Sequence, residues 1–342
     1  MTVGESICKH RKEQGLSQEA LGKKLLVSRQ TVSLWETDQT MPTIDNLIRL
    51  KEIFGISVDE IICGADSKQE KRILNSSSLD TVCAAIAYAM GILPPKEAAE
   101  KNRELSHYVD KVFDGQKADR VVIYNPDAIA QWIYEKYPNY LDGTKKRSDI
   151  QICLASVMPS VTPACLATMY PGVQPEIHGI RKYEKPVLRI ETLFDALIAA
   201  GKRVAIVSYL ACSLGRLFRE RNLDYYHFDK GGISEVNAKV AELIMRDEHD
   251  VIVFYNGNYD YSVHRTGPES TKSLAELRLN DHVFSFVSDL IKSNWKHHNT
   301  LVGFAVDHGC HEIEGNCGSH GLDMAEDINI VHFYKGYPKR EN

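Results

Sequence analysis

The stretch Leu301–His320 limits what this chain can become more than any other: L-V-G-F-A-V-D-H-G-C-H-E-I-E-G-N-C-G-S-H. Leu301–Val306 is a short apolar run, the mark of a strand buried on both faces. The run stops on Asp307-His308-Gly309. In an open sheet alternating with helices, ligands sit beyond the carboxyl ends of the strands. A carboxylate and an imidazole side by side at such an end are placed to hold a divalent cation. Gly309 turns the chain, and His320, set between Gly318 and Gly321, follows twelve residues after His308. Alone, Asp-His-Gly is equally an ordinary polar strand end. Three other strand ends carry partners for it.

Apolar runs recur at Val121–Tyr124, Ile150–Ser156, Arg203–Val207, Val251–Tyr255 and Ile328–Phe333. Helical stretches intervene, among them Glu191–Ala200 and Val236–Arg246. That alternation predicts an α/β domain with a mostly parallel sheet and helices on both faces. Polar residues gather at the strand ends. V-V-I-Y-N-P-D delivers Asp127, and M-P-S-V-T-P-A-C delivers Thr162 in a proline-bracketed turn. N-G-N-Y-D-Y-S-V-H carries Asp260 and His264, four residues apart. One helical turn separates them, so both can face one ion.

With Asp307, His308 and His320, these make six metal-ligand candidates and one hydroxyl. Split as three and three, they form two sites with room for water or phosphate. Two ions about 3.5–4 Å apart clamp the attacking and leaving oxygens of phosphoryl transfer. The carboxylate and imidazole mix suits zinc, and also manganese. A different grouping, Cys310, His311, Cys317 and His320, would instead make a mononuclear zinc knuckle. His178 and Thr168 read as packing.

The first 63 residues are different in kind: helix starts and no strand pattern. Ser17 precedes Gln18-Glu19-Ala20-Leu21, and Ser28 precedes Arg29–Glu36, each an N-cap. Only Leu26 and Val27 separate Leu25 from Ser28, which predicts a tight turn between two helices. Pro42 precedes a helix with Leu47, Leu50, Ile53 and Phe54, Gly55 ends it, and Ser57 caps a last short one.

Ala65–Arg72 is charged and Asn75–Ser78 polar, which predicts a flexible joint. Thr81–Met90 is apolar and rich in small residues, a buried helix broken by Pro94-Pro95, and Lys96–Val109 reads as a more exposed helix. The expected division is a helical domain over 1–63, a linker over 64–80 and an α/β domain over 81–342. A length of 342 residues agrees with two domains. No apolar run approaches the ~20 residues that span a bilayer, and the N-terminus lacks an apolar signal core. Eight scattered cysteines without a C-x-x-C pair point to reduced thiols in a cytoplasm. A net charge of −5 is too mild to imply a polyanion partner for the whole chain.

The helical segment resembles the Cro/repressor type of helix-turn-helix domain. The likeness rests on L-S-Q-E-A-L-G, V-S-R-Q-T-V-S-L-W-E and P-T-I-D-N-L-I-R-L. It implies that the helix after Ser28 enters the major groove of DNA, with Arg29, Gln30 and Ser33 facing the bases. Gln18 matches a position that meets phosphate, and Arg11 and Glu36 a pair that bridges helices. Arg and Gln suit bidentate contacts with base edges. Such domains bind as dimers, because one recognition helix reads few bases. Through Ile62, however, there are 8 Lys/Arg against 9 Asp/Glu, a net of −1. Phosphate binding favours a basic surface, so a module used for protein contacts stays open.

Asp119–Tyr334 resembles the alkaline phosphatase superfamily, most closely its nucleotide pyrophosphatase/type I phosphodiesterase branch. The likeness rests on P-S-V-T-P-A-C-L-A-T-M-Y-P-G-V-Q-P-E-I-H-G-I, D-Y-S-V-H-R-T-G-P-E-S, and D-H-G followed by G-S-H-G. It implies one metal on Asp260, His264 and His320, another on Asp127, Asp307 and His308, and Thr162 as the nucleophile. The first strand of that family ends in Asp-Gly, where this chain has Asn125-Pro126-Asp127-Ala128. The branch often places an Asn about twenty residues after the nucleophile to hold phosphate. Here Arg181 and Lys182 stand in that region. The implied activity is hydrolysis of a phosphorylated small molecule. A regulator that senses such a ligand, or a phosphomutase, would use the same framework.

Overall fold

The computed structural model describes residues 2–56, 58–63, 73–228 and 233–340. The chain divides into two compact units, Met1–Ile73 and Leu74–Asn342. The expected cap Ser57 and the charged stretch Ala65–Arg72 lie outside the described residues.

In the first unit, α1 (Val3–Glu13), α2 (Gln18–Leu25), α3 (Arg29–Glu36), α4 (Ile44–Phe54) and α5 (Val58–Cys63) follow one another closely. Their starts are encoded locally. The side chains of Thr2, Ser17, Ser28 and Thr43 each accept the backbone N–H of the third residue of their helix. Gly55 ends α4 in the left-handed region, at φ +70°. One apolar stripe per helix closes a small core that includes Ile7, Leu21, Val32, Trp35, Leu50 and Phe54.

The elements of the second unit that position the site are β1 (Ser77–Ser78), α6 (Thr81–Ala89), α7 (Arg103–Val112), β2 (Arg120–Pro126), β3 (Ile150–Ala155), α8 (Thr162–Met169), β4 (Val204–Tyr209), β5 (Asp224–Phe228), α9 (Ile233–Arg246), β6 (Val251–Asn256), α10 (Asn258–Thr266), α11 (Thr271–Asn294), β7 (Thr300–Phe304), β8 (His311–Ile313), β9 (Cys317–Ser319), α12 (Ala325–Ile328) and β10 (Asn329–Tyr337). Eight strands form one sheet in the order β1-β3-β10-β7-β2-β6-β4-β5. Only β10 runs antiparallel to its neighbours, β3 and β7. The other pairs are parallel. The architecture is therefore an all-α helix-turn-helix unit followed by an α/β unit with a mostly parallel sheet. β6 and β7 are buried along their whole length and β2 past its first residue, so all three read as apolar runs. Tyr124 stacks on Phe254 at 4.5 Å and meets Phe304 edge-on at 5.5 Å, locking these three strands together.

Some expectations need correction. Asn75–Ser78 is not part of a flexible joint: Ser77 and Ser78 pair with Leu154 and Ala155. The Asn75 amide N–H₂ donates to Gln131 and to the Leu154 carbonyl at 2.8 and 2.9 Å. Polar side chains here satisfy a sheet edge rather than water. The helix expected over Lys96–Val109 starts at Arg103, because the Asn102 side chain caps it through Leu105 N–H. Strand β5, rich in Tyr and charge, was not foreseen, nor was the β8–β9 hairpin. No helix among the described residues is long and apolar enough to cross a membrane.

Candidate active site

Parallel strands bring their carboxyl ends to one edge, and the six ligand candidates lie there. Asp127 follows β2, Asp307 and His308 follow β7, and Asp260 and His264 sit on α10 just beyond β6. His320 enters from the β8–β9 hairpin. They sort into two groups, Asp260–His264–His320 and Asp127–Asp307–His308, the ligand atoms of each lying within 4.8 Å of one another. Cys310, His311 and Cys317 join neither group, so the zinc-knuckle grouping does not form; Asp327 engages His311 at 2.7 Å.

The three imidazoles share one arrangement. Nδ1–H of His264 donates to Gly318 O at 3.1 Å, that of His308 to Gly309 O at 2.8 Å, and that of His320 to Ser160 O at 2.9 Å. A carbonyl only accepts, so Nδ1 bears a proton and Nε2 is the atom aimed into the cluster. His264 and His320 bring their Nε2 atoms within 3.2 Å of each other. Asp260 Oδ1 lies 3.3 and 3.4 Å from them yet accepts a hydrogen bond from neither. Asp307 Oδ2 is likewise buried and unpartnered. Buried acceptors and lone pairs converging without donors are what a divalent cation satisfies. The residues present therefore fit two cations.

The electrostatics agree. Burial would push Asp260 up, but the nearness of His264 and His320, which favours its charged form, holds it well below the usual carboxylate range. Burial pushes Asp307 up, and the charge of Asp127 beside it adds to that. Burial opposes charge on His308, yet Asp307 and Asp127 raise it to about 10. Without a cation, the two carboxylates thus favour a second proton on His308 at Nε2, and a bound cation would take that proton's place.

Thr162 opens α8 as its first residue and is 4% exposed. Its Oγ1 lies 3.2 Å from His308 Nε2 and 3.4–3.5 Å from the two carboxylate oxygens of Asp127. The expected turn is thus a helix start, which leaves the hydroxyl at the positive end of α8. Ser156 Oγ–H donates to the Asp307 carbonyl at 2.6 Å and ties the end of β3 to the end of β7. Next to the Asp260 group opens a cavity of ≈ 1040 Å³, lined in part by Tyr209, Asn237, Tyr255, Asn258 and Tyr261. The Tyr255 hydroxyl also contacts Asp127. Neither Ser156 nor Tyr255 was foreseen, because a Ser or Tyr at a strand end has no distinguishing neighbour. Arg181 and Lys182 are both exposed, Lys182 pairs with Glu184 at 3.4 Å, and neither lines this cavity. The structure does not bring them to the site. Thr168 and His178 hydrogen-bond each other at 3.0 Å, away from it.

In the first unit, Arg29 and Gln30 are exposed and Ser33 half-buried on the side of α3 away from buried Val32 and Trp35. Arg11 grips Glu36 through two hydrogen bonds, of 2.5 and 3.0 Å. Gln18 donates to the same carboxylate at 2.9 Å.

Residues 127–334 match the model of the type I phosphodiesterase / nucleotide pyrophosphatase family, and residues 9–61 that of a helix-turn-helix family. The HTH-type transcriptional activator BcrR of Enterococcus faecalis is 29% identical over 93 residues, 27% of this chain and 44% of its own length. The HTH-type transcriptional regulator DicA of Escherichia coli (strain K12) is 36% identical over 69 residues, 20% of this chain and 51% of its own. This chain spans about half the length of these curated relatives. Murine ectonucleotide pyrophosphatase / phosphodiesterase 5, in complex with AMP, resembles it with a TM-score of 0.47 and 15% identity, over 58% of this chain and 59% of that one.

Proposed function

Since the chain belongs to the type I phosphodiesterase / nucleotide pyrophosphatase family, we propose that its second unit hydrolyses a phosphodiester or pyrophosphate with Thr162 as nucleophile. The observation that carries this is the position of Thr162 Oγ1, at a helix start and within 3.2–3.5 Å of His308 and Asp127. Asp260, His264 and His320 would hold one divalent cation, and Asp127, Asp307 and His308 the other, zinc or manganese suiting both. When bound, such ions supply positive charge to the phosphoryl oxygens and favour an ionised oxygen nucleophile. Thr162 has no hydrogen-bonded Ser-His-Asp order to activate it, so its reactivity depends on that positive charge. Its Oγ1 gives its proton to solvent and bonds to phosphorus as the P–O bond to the ester oxygen breaks, the leaving oxygen taking a proton from solvent. Water then cleaves the phosphothreonine and restores the hydroxyl. The positive end of the α8 dipole favours the negative charge that gathers there. The adjoining cavity accepts the organic part of the substrate.

A panel of nitrophenyl mono- and diesters with added zinc or manganese tests the activity. Acid quench during turnover should trap a phosphorylated peptide containing Thr162. Hydrolysis of the best substrate by Thr162→Ala at the wild-type rate would overturn the assignment and favour direct attack by water.

The first unit would bind a pseudo-palindromic DNA site in the cytoplasm as part of a dimer, with Arg29, Gln30 and Ser33 at the base edges and Gln18 near phosphate. Selection from genomic fragments with the intact protein tests it. Failure to enrich any sequence at low salt would favour a protein-contact role.

A further inference from the structure

His320 lies in a short irregular stretch, between a three-residue strand and a four-residue helix. Something must hold that segment still. Asp327, wholly buried, reaches two sides of it. Its Oδ1 accepts from His311 Nδ1–H at 2.7 Å, and its Oδ2 accepts from Leu322 N–H at 2.8 Å. Its own carbonyl accepts Gly309 N–H at 2.8 Å, next to His308. His311 in turn is the strand partner of Ser319. The two anchors, Ser319 and Leu322, therefore bracket His320. The hairpin also presents the Gly318 carbonyl that orients His264. It packs so closely on α10 that a Cβ at Gly318 would meet Val263 Cγ1 at 2.5 Å.

We infer that Asp327 and His311 form a clasp that fixes the His320 segment and so sets cation affinity at Asp260–His264–His320. The inference rests on the two-cation reading for its consequence, but the clasp itself is a property of the metal-free chain. Asp327 and His311 are positioning residues; neither joins a ligand group. Asp327→Asn removes one acceptor, leaving either His311 or Leu322 N–H unpaired. His311→Leu removes the donor. His311→Asn keeps a donor near the place of Nδ1 and should rescue.

Two measurements test the clasp. Zinc titration of metal-stripped protein should show one of two binding events weakened about 10–100-fold in Asp327→Asn and His311→Leu, the other unchanged. Amide exchange of residues 318–322 in stripped protein should run roughly tenfold faster in both, and near wild type in His311→Asn. Unchanged exchange in both disruptive variants overturns the clasp, as does equal weakening of both binding events in His311→Leu without rescue by His311→Asn. If Asp327→Asn does not fold, the His311 pair decides. If wild type binds no zinc, the two-cation reading falls, and exchange still decides the clasp.

Discussion

Thr162 shows how little a single residue must do once its surroundings are fixed. Thr162→Ala removes only a hydroxyl and a methyl where six other side chains converge, so fold and ion content should persist while turnover falls by orders of magnitude. Thr162→Ser keeps the oxygen and should retain substantial activity; steady-state rates on the best ester and elemental analysis check both. Ala128 explains a departure from the family pattern. At φ +62°, it occupies the left-handed region usually left to glycine, a strain of about 1–2 kcal/mol. The Asp-Ala pair thus follows the backbone path that Asp-Gly would take. His178 contributes to the pH dependence of stability, as does buried His332, likewise pushed down to about 4. Burial pushes His178 down to about 4, outweighing the pull of nearby Glu176. Its Nδ1 already accepts Ile180 N–H at 3.2 Å, so a proton has no place there. The unfolded chain, with the ordinary value of 6.5, takes up the proton first. The contribution is whole above that value and lost as pH falls toward 4. Urea midpoints between pH 7 and 4.5 should fall more steeply in wild type than in His178→Gln.

Among elements, α3 gives the clearest prediction. Arg29→Ala or Gln30→Ala should each cost about 1–3 kcal/mol on the selected DNA site, measured by titration at fixed salt. Both side chains point away from the core, so thermal stability should hold. The elements that sequence reasoning found are those whose ends are written in a few neighbouring residues. Ser17, Ser28 and Gly55 cap their helices as expected, while the cap of α4 is Thr43, one residue beyond the Pro42 that marked it. The four-residue spacing of Asp260 and His264 survives as one turn of α10. What escaped is set by distant partners. The run N-I-V-H-F-Y of β10 reads the same in either direction, and only β3 and β7 make it antiparallel. Ser77-Ser78 is a strand only because β3 offers an edge. Arg181 and Lys182 followed the spacing of the resemblance, yet both are exposed and neither lines the cavity.

At the scale of the whole molecule, two ions should bind per chain. Elemental analysis and titration check this; a stoichiometry near zero with excess zinc or manganese would sink the phosphoryl-transfer reading. The sheet order has a consequence for the site. β3, which leads into Thr162, pairs with β1 and otherwise only with β10. Within the sheet, β10 alone links β1 and β3 to the strands that deliver Asp127, Asp307 and His308. All seven site residues precede Asn329 in the chain. In the finished sheet, then, the halves of the candidate site are joined through a strand that contributes none of its ligands.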